Sequence, residues 1–170
     1  PATLSWLFFP SSALVYTVEY INQTYLNPQD VLVSPTLLSD NNRVMTLIGY
    51  NGAITERASI TAMIGYAAGF YIETEDFDDV IARADVSWQA RPTIRVTTGY
   101  KRDVRPWFIG NYTVINWLHG EARFTLAGAL DLGTKASVSF DKSGPALSPN
   151  GTLLGNQLNR KDTRLQVALF

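Results

Sequence analysis

From Leu118 to Leu126 the even positions carry Leu118, Gly120, Ala122, Phe124 and Leu126, and the odd ones His119, Glu121, Arg123 and Thr125. A side-chain period of two belongs to a β-strand that turns one face to an apolar medium and the other to a polar one. From Val80 to Gln89 the split recurs: Val80, Ala82, Ala84, Val86 and Trp88 oppose Ile81, Arg83, Asp85, Ser87 and Gln89, with Ile81 the one exception. Between Thr93 and Lys101, Ile94, Val96, Thr98 and Tyr100 oppose Arg95, Thr97, Gly99 and Lys101. Arg57 to Tyr66 follows the same rule, and further strands are predicted from Ser12 to Asn22, Arg43 to Tyr50, Lys135 to Asp141 and Thr163 to Phe170. Helical spacing is hard to find anywhere, so the chain reads as all-β.

Connections between these segments alternate in length. Short ones are expected near Pro10, at Asn51-Gly52, at Ala90-Arg91-Pro92 and near Leu130, spaced about 40 residues apart, one long hairpin per repeat. Long ones are expected over 25–42, 68–78, 103–112 and 142–162, where most of the Pro, Asn and Asp lie. Short turns on one side, long polar loops on the other and strands of roughly 9 to 11 residues predict an antiparallel up-and-down transmembrane β-barrel. In lipid every backbone N–H and C=O must pair internally, so spanning strands have to close on one another. A soluble β-sandwich or lipocalin-like barrel also alternates; the strand length, the one-sided loops and the scarcity of Lys and Glu on the polar faces argue against it.

Composition removes several classes. No apolar stretch approaches the ~20 residues of a transmembrane helix. Net charge is -1, from 14 basic and 15 acidic residues, which gives no field for collecting nucleic acid. With no cysteine and a single histidine, thiol chemistry, disulfides and zinc clusters are excluded, and the sequence calls for no cofactor. Glu73, Glu75, Asp76, Asp78 and Asp79 crowd one long loop, but their spacing matches no calcium-binding loop, and no metal site is assigned. The aromatic residues, 12% of the chain, tend to end the alternating segments, where interfacial belts lie in membrane barrels.

Counted from Ser12 to Phe170 the strands number eight, a complete small barrel; counting Thr3 to Phe9 as well makes nine, which points to a piece of a larger barrel of ten strands or more. Residues 1–170 thus form one barrel domain or part of one. The segment Gly99-Tyr-Lys-Arg-Asp-Val-Arg-Pro-Trp-Phe-Ile-Gly-Asn-Tyr112, a strand ending in "GY-basic-Asp" followed by "Gly-Asn-Tyr" opening the next, resembles large porin-like outer-membrane barrels of the proteobacterial envelope, which include exopolysaccharide-export types. The resemblance implies a Gram-negative outer-membrane channel or export role; lipid, lipopolysaccharide, other envelope proteins and the remainder of its own barrel are the expected partners. It transfers no functional residue.

Glu19, Arg57, Arg83, Asp85, Arg95, Lys101, His119, Glu121, Arg123 and Lys135, with Asp141 and Arg164, fall on the polar faces and are the candidate lumen-lining residues. In an eight-stranded barrel they would fill the interior as ion pairs; in a wider one they would line water and set selectivity. A structural barrel anchoring an envelope assembly is the second reading. The third is a lipid-modifying hydrolase, in which His119 acts as base toward Ser137 or Ser139 on the next strand. An interior hydrogen-bonded histidine is the plainer account of His119, so no catalytic residue is assigned.

Overall fold

The computed structural model describes residues 1–23, 41–71, 76–107, 110–126, 130–143 and 161–169. Every regular element among them is a strand: β1 (Ala2–Phe9), β2 (Ser12–Gln23), β3 (Asn41–Thr55), β4 (Ala58–Tyr71), β5 (Phe77–Arg91), β6 (Ile94–Trp107), β7 (Gly110–Leu126), β8 (Leu130–Ser143) and β9 (Lys161–Leu169). They form one sheet in chain order, each strand antiparallel to the next, and the sheet is not closed: β1 and β9 are its two edges. Thr3 to Phe9, set aside in the eight-strand count, is part of β1.

The register keeps like with like. On β7, Leu118, Gly120, Ala122 and Phe124 lie across from Tyr100, Thr98, Val96 and Ile94 of β6, and from Val138, Ala136, Thr134 and Leu132 of β8. Since a slip of one residue would move a whole strand to the other face, continuous pairing of even with even positions from β2 to β8 gives two chemically distinct surfaces.

The strands differ from expectation at their ends. The turn expected at Asn51-Gly52 lies instead at Glu56-Arg57: β3 runs on to Thr55, with Gly52 paired to both Ser12 and Ile60. Most of the long loop expected over 103–112 is strand, so that only residues 108–109 join β6 to β7, and residues 72–76 join β4 to β5. The turns near Pro10 and Pro92 lie as expected, at Pro10-Ser11 and Pro92-Thr93. The turn before Leu130, the loop segments at 24–40 and 144–160, and Phe170 lie outside the described residues.

The odd-numbered face is concave. Arg43 on β3 reaches Asp103 on β6 at 3.8 Å. In a flat sheet two intervening strands would hold those backbones about 14 Å apart. Glycines permit the curl: a Cβ on Gly49 or Gly65, both on this face, would run into the backbone of the neighbouring strand. Beyond the Ala82–Arg102 pair, β6 leaves β5 and continues as the edge of a ribbon formed with β7 and β8. Val104 and Val114 of that ribbon pack with Ala67, Phe77 and Ile81, flanked by Met45, Leu47 and Tyr112, in the one buried apolar cluster among the described residues.

Candidate functional site: the charged concave face

The charges assigned to the polar faces divide into three groups. Around the middle of the sheet, one cross-strand row runs Asp85, Gly99, His119, Ser137 and Gln166. His119 Nε2 lies 3.3 Å from Asp85 Oδ1, although β6 stands between their strands. Gly99 makes that contact possible, because a Cβ there would collide with both the carboxylate and the imidazole. Arg83 Nε donates to Asp85 Oδ2 at 2.6 Å, and Trp117 stacks on the imidazole at 4.5 Å. On β7, Arg123 donates to Glu121 at 2.9 Å.

The second group lies nearer the long connections, over β6 to β9. Asp103 gathers Lys101 at 3.0 Å, Arg105 at 3.3 Å and Arg43. Across β7, Asp141 forms an ion pair with Arg164 at 3.4 Å. Between them is a trough of about 330 Å³, lined by five of these six side chains, all but Arg43, and by Ile115, Trp117, Ser137, Ser139 and Gln166. One oxygen of the buried Asp141, Oδ1, has no hydrogen-bond partner among the described residues.

The third group is solitary. Arg95 stands directly across from Arg123, Glu19 across from Met45 and Lys135 across from Glu121, and Arg95, Glu19 and Lys135 form no ion pair among the described residues. Arg57 is a correction to the expected lining: it lies in the exposed β3–β4 turn, because β3 extends four residues past Asn51 and carries the hairpin end beyond the strand face.

Sequence reasoning missed Asp103, Arg105, Arg43 and Trp117. Lys101, Asp103 and Arg105 share the odd parity of the strand that precedes them, which is the signal that extends β6; Arg102 and Pro106 on the other parity obscure it. Arg102 instead reaches Asp79 at 2.7 Å and the Val80 carbonyl at 3.0 Å, along the line where β5 and β6 part. Of the acidic loop, Glu73 and Glu75 lie outside the described residues, Asp79 is committed to Arg102, and Asp78 accepts from Tyr66.

The hydrolase constellation is brought together only in part. Acid, imidazole and hydroxyl share one row, but Ser137 makes no hydrogen bond to His119, and Nδ1 of His119 is buried without a partner among the described residues.

The opposite face carries exposed apolar side chains, among them Tyr16, Ile48, Ile64, Trp88, Leu118, Phe124, Leu132 and Leu165. Toward the long connections this band carries a row of tyrosines, each donating to a polar side chain: Tyr20 to Asn42 at 2.9 Å, Tyr66 to Asp78, and Tyr100 to Asn116 at 2.8 Å, with Phe70 and Phe140 exposed past them. No protein-family model, no curated protein and no solved structure matches this chain.

Proposed function

We propose that the sheet is wall of a porin-like β-barrel in a Gram-negative outer membrane, with a passive channel or export role and no catalytic activity. The observation that carries this reading is the band of exposed apolar side chains with its row of hydrogen-bonded tyrosines, set against a concave face of mixed charge. In water such a band is a continuous aggregation surface; in lipid it is the surface that belongs there. From Leu118 to Leu126 the band is about 27 Å long at 3.4 Å per residue, or about 20 Å across a bilayer at ~45° tilt, close to the ~25 Å apolar belt of outer-membrane barrels. Tyrosines toward one end of it suit the headgroup region, where a ring sits in hydrocarbon and a hydroxyl in the polar layer.

Parity sets what completes the wall. Nine antiparallel strands leave β1 and β9 running in the same direction, so joining them directly would be a parallel pairing. Antiparallel closure takes an odd number of further strands, consistent with the wider-barrel count. A closed wall of ten strands or more leaves water over Arg95, Glu19 and Lys135, which a filled eight-stranded barrel would have to pair.

Reconstitution of the full mature polypeptide into planar bilayers tests the reading. Stepwise conductance is expected, with a reversal potential that moves toward cation preference in a Lys101→Glu, Arg105→Glu double variant. A bilayer-inserted protein that never conducts would overturn the channel role and leave an anchoring barrel, while recovery in the soluble fraction would overturn the membrane assignment itself.

A further inference from the structure

The trough over β6 to β9 has an imbalance that a ligand would correct. Among the described residues three cations, Lys101, Arg105 and Arg164, line the trough together with two carboxylates, Asp103 and Asp141. One positive charge is therefore uncompensated. Arg105 and Arg164 are 60% and 68% exposed, so their remaining N–H donors are open to solvent. The buried Asp141 Oδ1, by contrast, is an acceptor with nothing among the described residues to accept from, and leaving such a group unpaired is costly. Ile115 and Trp117 give the same trough an apolar flank, and its 330 Å³ holds roughly eleven waters at about 30 Å³ each.

We infer that this trough binds a small monoanionic hydroxycarboxylate. Its carboxylate sits between Arg105 and Arg164, its hydroxyl donates to Asp141 Oδ1, and its carbon skeleton lies against Trp117. A plain carboxylate satisfies the cations and leaves Asp141 Oδ1 bare. A zwitterionic amino acid brings a donor but no net charge, and so leaves the extra cation uncompensated. A role for the site in selecting what passes rests on the channel reading, whereas binding itself does not.

Three compounds of one skeleton separate these terms: 3-phenyllactate, 3-phenylpropionate and phenylalanine, titrated calorimetrically into the detergent-solubilised full chain at low salt. Phenyllactate is expected to bind at least tenfold more tightly than either of the others, the worth of about one buried hydrogen bond at 1.4 kcal/mol per decade. Asp141→Asn is expected to abolish the preference over phenylpropionate, and Arg164→Gln to weaken phenyllactate at least fivefold. Arg164 is exposed, so this second variant keeps the test decisive if Asp141→Asn does not fold. Equal binding of phenyllactate and phenylpropionate, tightest binding of phenylalanine, no binding at millimolar concentration, or indifference to Arg164→Gln would each overturn the inference. Binding without conductance in bilayers would remove the channel reading alone.

Discussion

Replacing Ala122 with Arg separates a lipid-facing sheet from a water-facing one. Ala122 lies midway between Leu118 and Leu126 on β7, flanked on its own face by Val96 of β6 and Thr134 of β8. If the band spans hydrocarbon, Ala122 is near the midplane, where an arginine on the lipid face of a barrel costs about 2 to 4 kcal/mol. At 1.36 kcal/mol per decade this is about a 30- to 900-fold loss in the folding equilibrium. In water the same half-exposed position would register within about 0.5 kcal/mol, as surface substitutions do. Thr97→Arg is the matched control. It lies on the concave face one strand away, with Glu121 directly across from it, and is expected to cost less than about 1 kcal/mol. The assay is urea titration of the full chain folded into phospholipid vesicles, read by tryptophan fluorescence. Equal costs at the two positions, or a cost below 0.5 kcal/mol for Ala122→Arg, would refute the assignment of faces.

Gly99→Val is expected to cost about 2 kcal/mol or more in the same titration, since its side chain occupies the space in which Asp85 meets His119. Asp103→Asn leaves the nearly buried Arg43 without its carboxylate and is expected to destabilise by about 3 kcal/mol; Arg105→Gln, which removes an exposed partner of the same carboxylate, is expected to cost less than about 1 kcal/mol. His119→Ala is expected to leave conductance unchanged and to expose no lost esterase or phospholipase activity toward detergent-dispersed lipid substrates, whereas loss of a hydrolytic activity would revive the enzyme reading.

The two faces of the sheet were legible because their signal is local: parity along one strand is enough to assign Leu118 and His119 to opposite sides. What joins strands was not. The His119–Asp85 contact depends on two registers and on a glycine between them, none of which a single segment encodes. The misplaced turn has a specific cause. Asn51-Gly52 is among the strongest hairpin signals a sequence offers, yet the apolar alternation of Tyr50 runs on to Ile54, and the register with β2 and β4 carries the strand through. Gly52 serves close approach instead, since a Cβ there would meet the hydroxyls of Ser12 and Tyr50 at 2.7 Å. Pro106 marked the end of β6 as loop for a similar reason. A proline lacks the ladder donor of an inner strand, but past Arg102 β6 has no partner on its β5 side, and an edge tolerates it.

Whether the concave charges plug or line a passage turns on how many of them find partners. A filled eight-stranded interior would oblige each to pair, because an isolated buried charge costs more than its Coulombic surroundings return. Asp85, Asp103, Glu121 and Asp141 do have cationic or imidazole partners. Arg95 does the opposite: its cross-strand neighbour is Arg123, and like charges facing one another across a ladder are destabilising unless water screens them. Arg95 is also exposed, as is Lys135 two strands away. The arrangement is therefore that of a wet surface with local ion pairs. A wet concave face and two unpaired edges fit the same object, because in lipid each open backbone group costs several kcal/mol. In the proposed barrel, every strand added to close those edges would also widen the lumen.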